Sequence, residues 1–181
     1  MTPEIFPVTP ERWQDLETLF ARKNSCWCMY WREPYSEYKK GGEHNRPAME
    51  NLIDGGTVPG LLAYVDGVPA GWVSVAPRED YPALESSRSL KRLDDQPVWS
   101  IVCFYIDSAY RGQGLMLTLI QAAVDYAKDH GASIIEAYPM DPQGIAEAGG
   151  LFTGLAKVFA KAGFVEMARP TPSRRILRLT V

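Results

Sequence analysis

The run VWSIVCFYI, Val98 to Ile106, is almost continuously apolar and leads into a long amphipathic segment. A strand buried on both faces of a sheet requires such a run. After it, Leu115, Met116, Leu119, Ile120, Ala123, Val124 and Ala127 recur at helical spacing and make one wide apolar face, which Gly131 ends. ASIIEAYP, Ala132 to Pro139, then reads as a further strand. Strand, helix and strand in this order form a crossover, which commits the chain to a mixed α/β sheet.

The rest of the chain supplies the remaining elements. Glu4 to Val8 reads as a short strand. TPERWQDLETLFARK reads as a helix, with Thr9 as N-cap, Pro10 at its first position and Trp13, Leu16 and Phe20 on one face. NRPAMENLIDGG reads as a second, short helix closed by Gly55 and Gly56. In GLLAYVDGVPAGWVSVAP, Asp66-Gly67 is a favoured two-residue turn between strand-like runs, so a hairpin is expected. Arg78 to Pro97 is polar and rich in Ser, Asp and Pro, a loop with room for one helical turn and long enough to suggest a function. GGLFTGLAKVFAKAGF reads as the last helix, with Leu151, Leu155, Val158 and Phe159 on one side. Short strands around Phe164–Met167 and Arg174–Thr180 close the chain. With 181 residues and no internal repeat, a single domain over 1–181 is expected.

Bulk properties exclude some functions. A net charge of -3 gives no support to a nucleic-acid or anionic-membrane partner, which usually leaves a basic excess. No segment has the length of a transmembrane helix, and the N-terminus lacks the basic-then-apolar pattern of a secretory signal, so a cytoplasmic location is expected. The three cysteines, an odd count, read as reduced thiols.

YRGQGLML, Tyr110 to Leu117, joins the apolar strand to its helix. The first N–H groups of a helix lack intrahelical partners and sit at the positive end of the macrodipole, so they attract anions. Gly112 and Gly114 let an anion approach the backbone, and Arg111 adds positive charge. The stretch is therefore either a plain glycine cap or a phosphate cradle. The P-loop pattern G-x-x-x-x-G-K-[ST] is absent, and Leu117 stands where the dinucleotide pattern has its third glycine. RGQGLM resembles instead the acetyl-CoA motif of the GNAT superfamily of N-acetyltransferases, R/Q-x-x-G-x-G/A at a strand-to-helix junction. Arg111 and Gly114 match it, and Met116 departs from the final Gly or Ala. The strands on either side, and VFAKAGF, which is similar to the family's last helix, extend the resemblance over roughly Leu61 to Val181.

The resemblance implies a central, mostly antiparallel mixed sheet with a splayed parallel strand pair and helices on both faces. It implies acetyl-CoA as co-substrate, with no metal. The pantetheine arm would lie along the backbone of Phe104, Tyr105 and Ile106. The pyrophosphate would sit at Arg111, Gly112, Gln113, Gly114, Leu115 and Met116. The reaction would be direct acetyl transfer to a primary amine, with a backbone N–H stabilising the oxyanion and positioned groups moving protons. Where many members carry a tyrosine acid this chain has Phe159, left as a contact to the donor. Where some carry a glutamate base it has Ser100. Tyr138 and Glu136, on one side of the following strand, are the substitute candidates. Glu136 has the alternative of a plain salt bridge. A non-catalytic acyl-CoA sensor on the same fold, and more distantly a nucleotide-binding α/β protein, stay open.

CWCMYWREPY, Cys26 to Tyr35, is the second unusual stretch. Only Cys103, His44 and His130 are available to complete a metal site with Cys26 and Cys28, so none is expected. No activating histidine is evident for a catalytic thiolate. By the resemblance, this region forms one wall of the acceptor pocket. Trp31, Arg32 and Glu33 are its candidates, Tyr81 the candidate for the opposite wall, and Trp27 a candidate for the core. Such a wall suits a small amphipathic or aromatic amine. A homodimer is open.

Overall fold

The computed structural model describes residues 3–21, 26–140 and 152–181. Strands β1 (Glu4–Pro7), β2 (Gly60–Val65), β3 (Val68–Pro77), β4 (Trp99–Ile106), β5 (Ile134–Ala137), β6 (Val165–Thr171) and β7 (Arg174–Thr180) form one sheet in the order β1-β2-β3-β4-β5-β7-β6. Every neighbouring pair is antiparallel except β4 and β5. The helices are α1 (Trp13–Phe20), α2 (Tyr35–Tyr38), α3 (Gly42–Asp54), α4 (Pro82–Ser86), α5 (Leu115–Asp129) and α6 (Ala156–Lys161). The expected mixed sheet with one parallel pair is present.

Local chemistry accounts for the connections. Asp66 and Gly67 both have positive φ, 51° and 76°, as a two-residue hairpin turn between twisted strands demands. The crossover from β4 to β5 runs through α5, which buries Leu115, Leu119, Ile120, Ala123 and Ala127 against the sheet. On that face they join Val73, Val75, Ile101, Phe104, Phe159 and Phe164. The opposite face carries a second core. There Leu16, Leu19 and Phe20 of α1 and Met49 and Ile53 of α3 meet Trp27, Trp31, Trp72, Tyr81 and Tyr138.

Some elements differ from the sequence reading. The first turn after Thr9 is a 3-10 turn, Pro10–Arg12, and the Thr9 side chain caps nothing. α3 begins at Gly42 and carries Pro47 inside it, because Gly41, at φ 88°, accepts from both His44 and Asn45 N–H. α2 was not expected. The last helix starts only at Ala156: Gly154, at φ 86°, is left-handed and Leu155 is extended. The earlier part of that expected helix, through Leu151, lies outside the described residues. β6 is longer than expected because it pairs with β7 up to Thr171↔Arg174.

Candidate functional site

β4 and β5 pair only at Trp99↔Ile135, Ser100↔Glu136 and Ile101↔Ala137. β4 then runs on to Ile106 without a strand on that side among the described residues. A bulge marks the point of departure. Ser74 pairs with Cys103 and Val75 with Ile101, so Val102 is an extra residue in β4. Bulges bend and twist the strand that carries them, and here that opens β4 away from β5. The Trp31 indole N–H donates to the Val102 carbonyl at 3.1 Å and ties the bulge to the aromatic segment.

The opening leads into a groove of about 340 Å³. Phe104, Tyr105 and Ile106 form one wall, Phe152 and Leu155 face them, and Arg111 and Met116 stand at one end. Gly112 and Gly114 have φ of 75° and 85°, with nothing within 4 Å of a Cβ at either, so glycine is needed there for conformation and leaves the backbone open. The first turn of α5 bonds Leu117 N–H to the Gly114 carbonyl at 2.9 Å. The N–H groups from Gly112 to Met116 have no acceptor among the described residues. They form a donor cluster at a helix N-terminus, suited to a phosphate. Arg111 Nε donates to the Ile106 carbonyl at 2.9 Å and fixes the end of β4 against this turn. Gln113 is exposed and bonds the Ala109 carbonyl. Phe159 lies fully buried behind the groove, edge-on to Phe104 at 5.9 Å.

Glu136, Tyr138 and Ser100 meet at the root of the splay, in a closed polar network. Glu136 is 1% exposed. Its Oε1 accepts from Arg178 Nε at 2.7 Å, and its Oε2 accepts from the Tyr138 hydroxyl at 2.7 Å and from Arg78 Nη1 at 3.3 Å. With its proton given to Glu136, the Tyr138 oxygen accepts from Arg78 Nη1 at 2.9 Å and from Ser100 Oγ at 2.8 Å. Arg78, itself 1% exposed, also donates to the Leu90 carbonyl at 2.5 Å and to Glu85 at 2.8 Å. Burial first, then the Glu136 charge, hold the Tyr138 phenol well above its ordinary value, so it stays neutral.

Outside this network Arg178 forks onto Asp94 at 2.6 and 3.0 Å and holds that carboxyl down at about 2. The folded value lies below the unfolded one of about 3.9. The bridge therefore adds stability that is complete above roughly pH 4 and is lost as pH falls through about 2. Asp94→Asn is expected to lower the urea midpoint at neutral pH and to converge with the parent near pH 2. Parallel curves across that range would exclude the linkage.

A second cavity, of about 530 Å³, opens on the face of the sheet that carries the aromatic core. Tyr30, Trp31, Glu33 and Tyr35 line one side, Pro82, Ala83 and Leu90 the other, and Arg174 also contributes. Tyr30 packs edge-on against Phe152 at 6.0 Å, so a pair of rings divides this cavity from the groove. Glu33 takes part in a 3.0 Å contact with His44 Nε2. Arg32 and Tyr81 lie behind the lining. The Tyr81 hydroxyl pairs with Ser74 Oγ at 2.9 Å, and the Arg32 guanidinium stacks 4.6 Å over the Tyr81 ring and donates to Pro59. Trp27 is in the core.

The cysteines are free. Cys28 receives the Trp72 indole N–H at 3.0 Å and lies 2.9 Å from Cys103. Burial pushes the Cys26 and Cys28 thiols up, which disfavours thiolate chemistry. Among the described residues no group of three or more His, Cys, Asp or Glu side chains is placed to hold a metal ion. No described helix is long and apolar enough to cross a membrane.

Phe104, Tyr105, Ile106, Arg111 and Met116, singled out in the sequence, line the groove, and Trp31 and Glu33 line the second cavity. Arg78, Arg174, Phe152 and the Val102 bulge were not anticipated. One signal was available: Arg174 and Arg178 fall on the same strand face as buried Ile176, each two positions from it on β7.

The chain matches the acetyltransferase (GNAT) family over residues 13–148 and belongs to it. No curated protein sequence shows significant similarity. Solved structures do. The PaiA N-acetyltransferase of Thermoplasma acidophilum, in complex with coenzyme A, is 15% identical with a TM-score of 0.56, covering 100% of both chains. A chain of the NatC complex bound to Gag peptide and CoA is 14% identical with a TM-score of 0.57, covering 100% of this chain and 99% of its own. The polyamine N-acetyltransferase of Drosophila melanogaster is 11% identical with a TM-score of 0.60, covering 99% of this chain and 100% of its own. These likenesses are of fold.

Proposed function

We propose that this protein transfers an acetyl group from acetyl-CoA to a primary amine seated in the Tyr30–Trp31–Glu33 cavity. One observation carries the reading: beyond Ile101 the β5-facing edge of β4, which has no strand partner among the described residues, opens onto a groove that ends at the N–H cluster of Gly112 to Met116. A pantetheine arm added along β4 would bond its backbone as a strand does. The pyrophosphate would sit on that cluster, beside Arg111. Phe104 and Met116 would pack against the arm, with Phe159 supporting Phe104 from behind. The neutral amine nitrogen would attack the thioester carbon, a β4 N–H would stabilise the oxyanion, and the C–S bond would break, with the nitrogen's proton passing through water to the departing CoA sulfur. The reading puts the reaction in the cytoplasm, where the free cysteines stay reduced.

Glu136, Tyr138 and Ser100 act here by position. All three bonding positions of the Tyr138 hydroxyl are occupied within the protein, and Glu136, 1% exposed, already accepts three hydrogen bonds, so neither is open to a ligand. They clamp β5 at the register where the splay begins. Tyr138→Phe is expected to lower stability while leaving the pH profile of kcat/KM unmoved. A displaced profile would make Tyr138 a proton carrier instead.

The test is calorimetric titration with acetyl-CoA, ATP and NAD, followed by CoA release against a panel of amines. Failure of acetyl-CoA to bind at micromolar to millimolar levels would sink the proposal. Phe159, at the position where the resemblance implies a tyrosine acid, and the closed network favour a second reading, an acyl-CoA sensor without turnover. Acetyl-CoA binding with no CoA release for any amine would select it.

A further inference from the structure

We infer that the acceptor is an α-amino acid and that Arg174 holds its carboxylate. The inference rests on the second cavity being the acceptor site. Arg174 lines that cavity and has no carboxylate at ion-pair distance among the described residues. Arg46, Arg78, Arg92, Arg169, Arg175 and Arg178 each have one. Burial lowers the Arg174 pKa, the mark of a cation short of solvent. A half-buried guanidinium without a counterion is costly to hold, and an anionic ligand removes that cost.

The guanidinium is fixed in place. Its Nη1 donates to the Tyr138 carbonyl at 2.6 Å and to Thr153 Oγ1 at 3.4 Å, leaving Nε and Nη2 for a ligand. Two such donors form a fork that matches a carboxylate.

Its position sets which amine reacts. Tyr138 directly follows β5, at the splay. Thr153 adjoins Phe152, which walls the donor groove and touches Tyr30 across the seam. A carboxylate on Arg174 therefore lies near the place where the thioester would end, which suits an amine one carbon away better than one at the far end of a long chain. Glu33, in the same lining, gives the cavity the opposite charge that a zwitterion needs. The pyrophosphate does not compete for Arg174, because its cluster lies on the face of the sheet that α5 covers.

The experiment compares the common α-amino acids with their carboxamides as acceptors, read as CoA release under saturating acetyl-CoA. For the best acid, kcat/KM should fall on the order of 10- to 100-fold on amidation, the effect of losing a charged hydrogen-bonded pair. Arg174→Gln should bring the acid down to the level of its amide with the acetyl-CoA titration unchanged, and Arg174→Lys should recover part of the difference. Amides acetylated as fast as acids by the unmodified protein would overturn the inference without touching the acetyltransfer reading. So would a preference for acids that survives Arg174→Gln. Absence of acetyl-CoA binding would overturn both. The amide comparison needs no variant to fold.

Discussion

Glu136→Ala is expected to cost the fold about 3–5 kcal/mol, the usual penalty for removing one partner of a buried ion pair. The cause is Arg78, which is 1% exposed and would keep a full charge with only Glu85, itself half-exposed, left as a carboxylate partner. Arg178 would lose its inner partner too, and the Tyr138 hydroxyl its acceptor. Replacing charge and shape at once therefore strands several donors. Glu136→Gln keeps the shape and should cost less, in the same direction. The measurement is urea unfolding, with the midpoint lowered and the slope kept. A Glu136→Ala midpoint within about 1 kcal/mol of the parent would mean that Arg78 reaches water and that the network does not hold β5 in place.

Gly114→Val should reduce acetyl-CoA affinity tenfold or more, on the order of losing one or two hydrogen bonds to a charged phosphate. Gly114 is left-handed at φ 85°, a conformation that a β-branched residue avoids. The variant must either strain or rotate the peptide, and rotation turns the N–H cluster away from the groove. Gly56→Val is the matched control: its φ is 86°, nothing lies within 4 Å of its Cβ, and it sits at the end of α3, outside the groove lining. Both variants carry a strain of about 1–2 kcal/mol, and only Gly114→Val should lose the ligand. Equal affinity in both, measured by titration calorimetry, would exclude the junction as the phosphate site.

The two experiments probe features that differ in how far they could be read in advance. The β4–α5–β5 crossover and the Asp66-Gly67 hairpin were legible because their signals are local: an apolar run, a helical period, a turn that requires positive φ. The strand-to-helix junction at Tyr110–Leu117 was legible for the same reason, since strand, glycines and helix start are contiguous. Glu136 was conspicuous as a carboxylate inside an apolar strand, but its partners were not. Arg78 stands 58 positions away, at the head of a stretch that reads as a polar loop. Trp31 could be read as a pocket residue, yet its bond to Val102 spans 71 positions and depends on a bulge that no periodicity announces.

By itself, then, the sequence determined the order of elements, the mixed sheet and the helix start that offers its N–H groups. These follow from backbone preferences and burial patterns a few residues long. The tertiary structure decided that Arg78 is buried and paired, that β4 bends at Val102, and that Arg174 lines a cavity with no carboxylate at ion-pair distance from it among the described residues. Each of these depends on which distant chain segment supplies the partner, and for charged side chains in low dielectric the partner determines whether burial is tolerated at all.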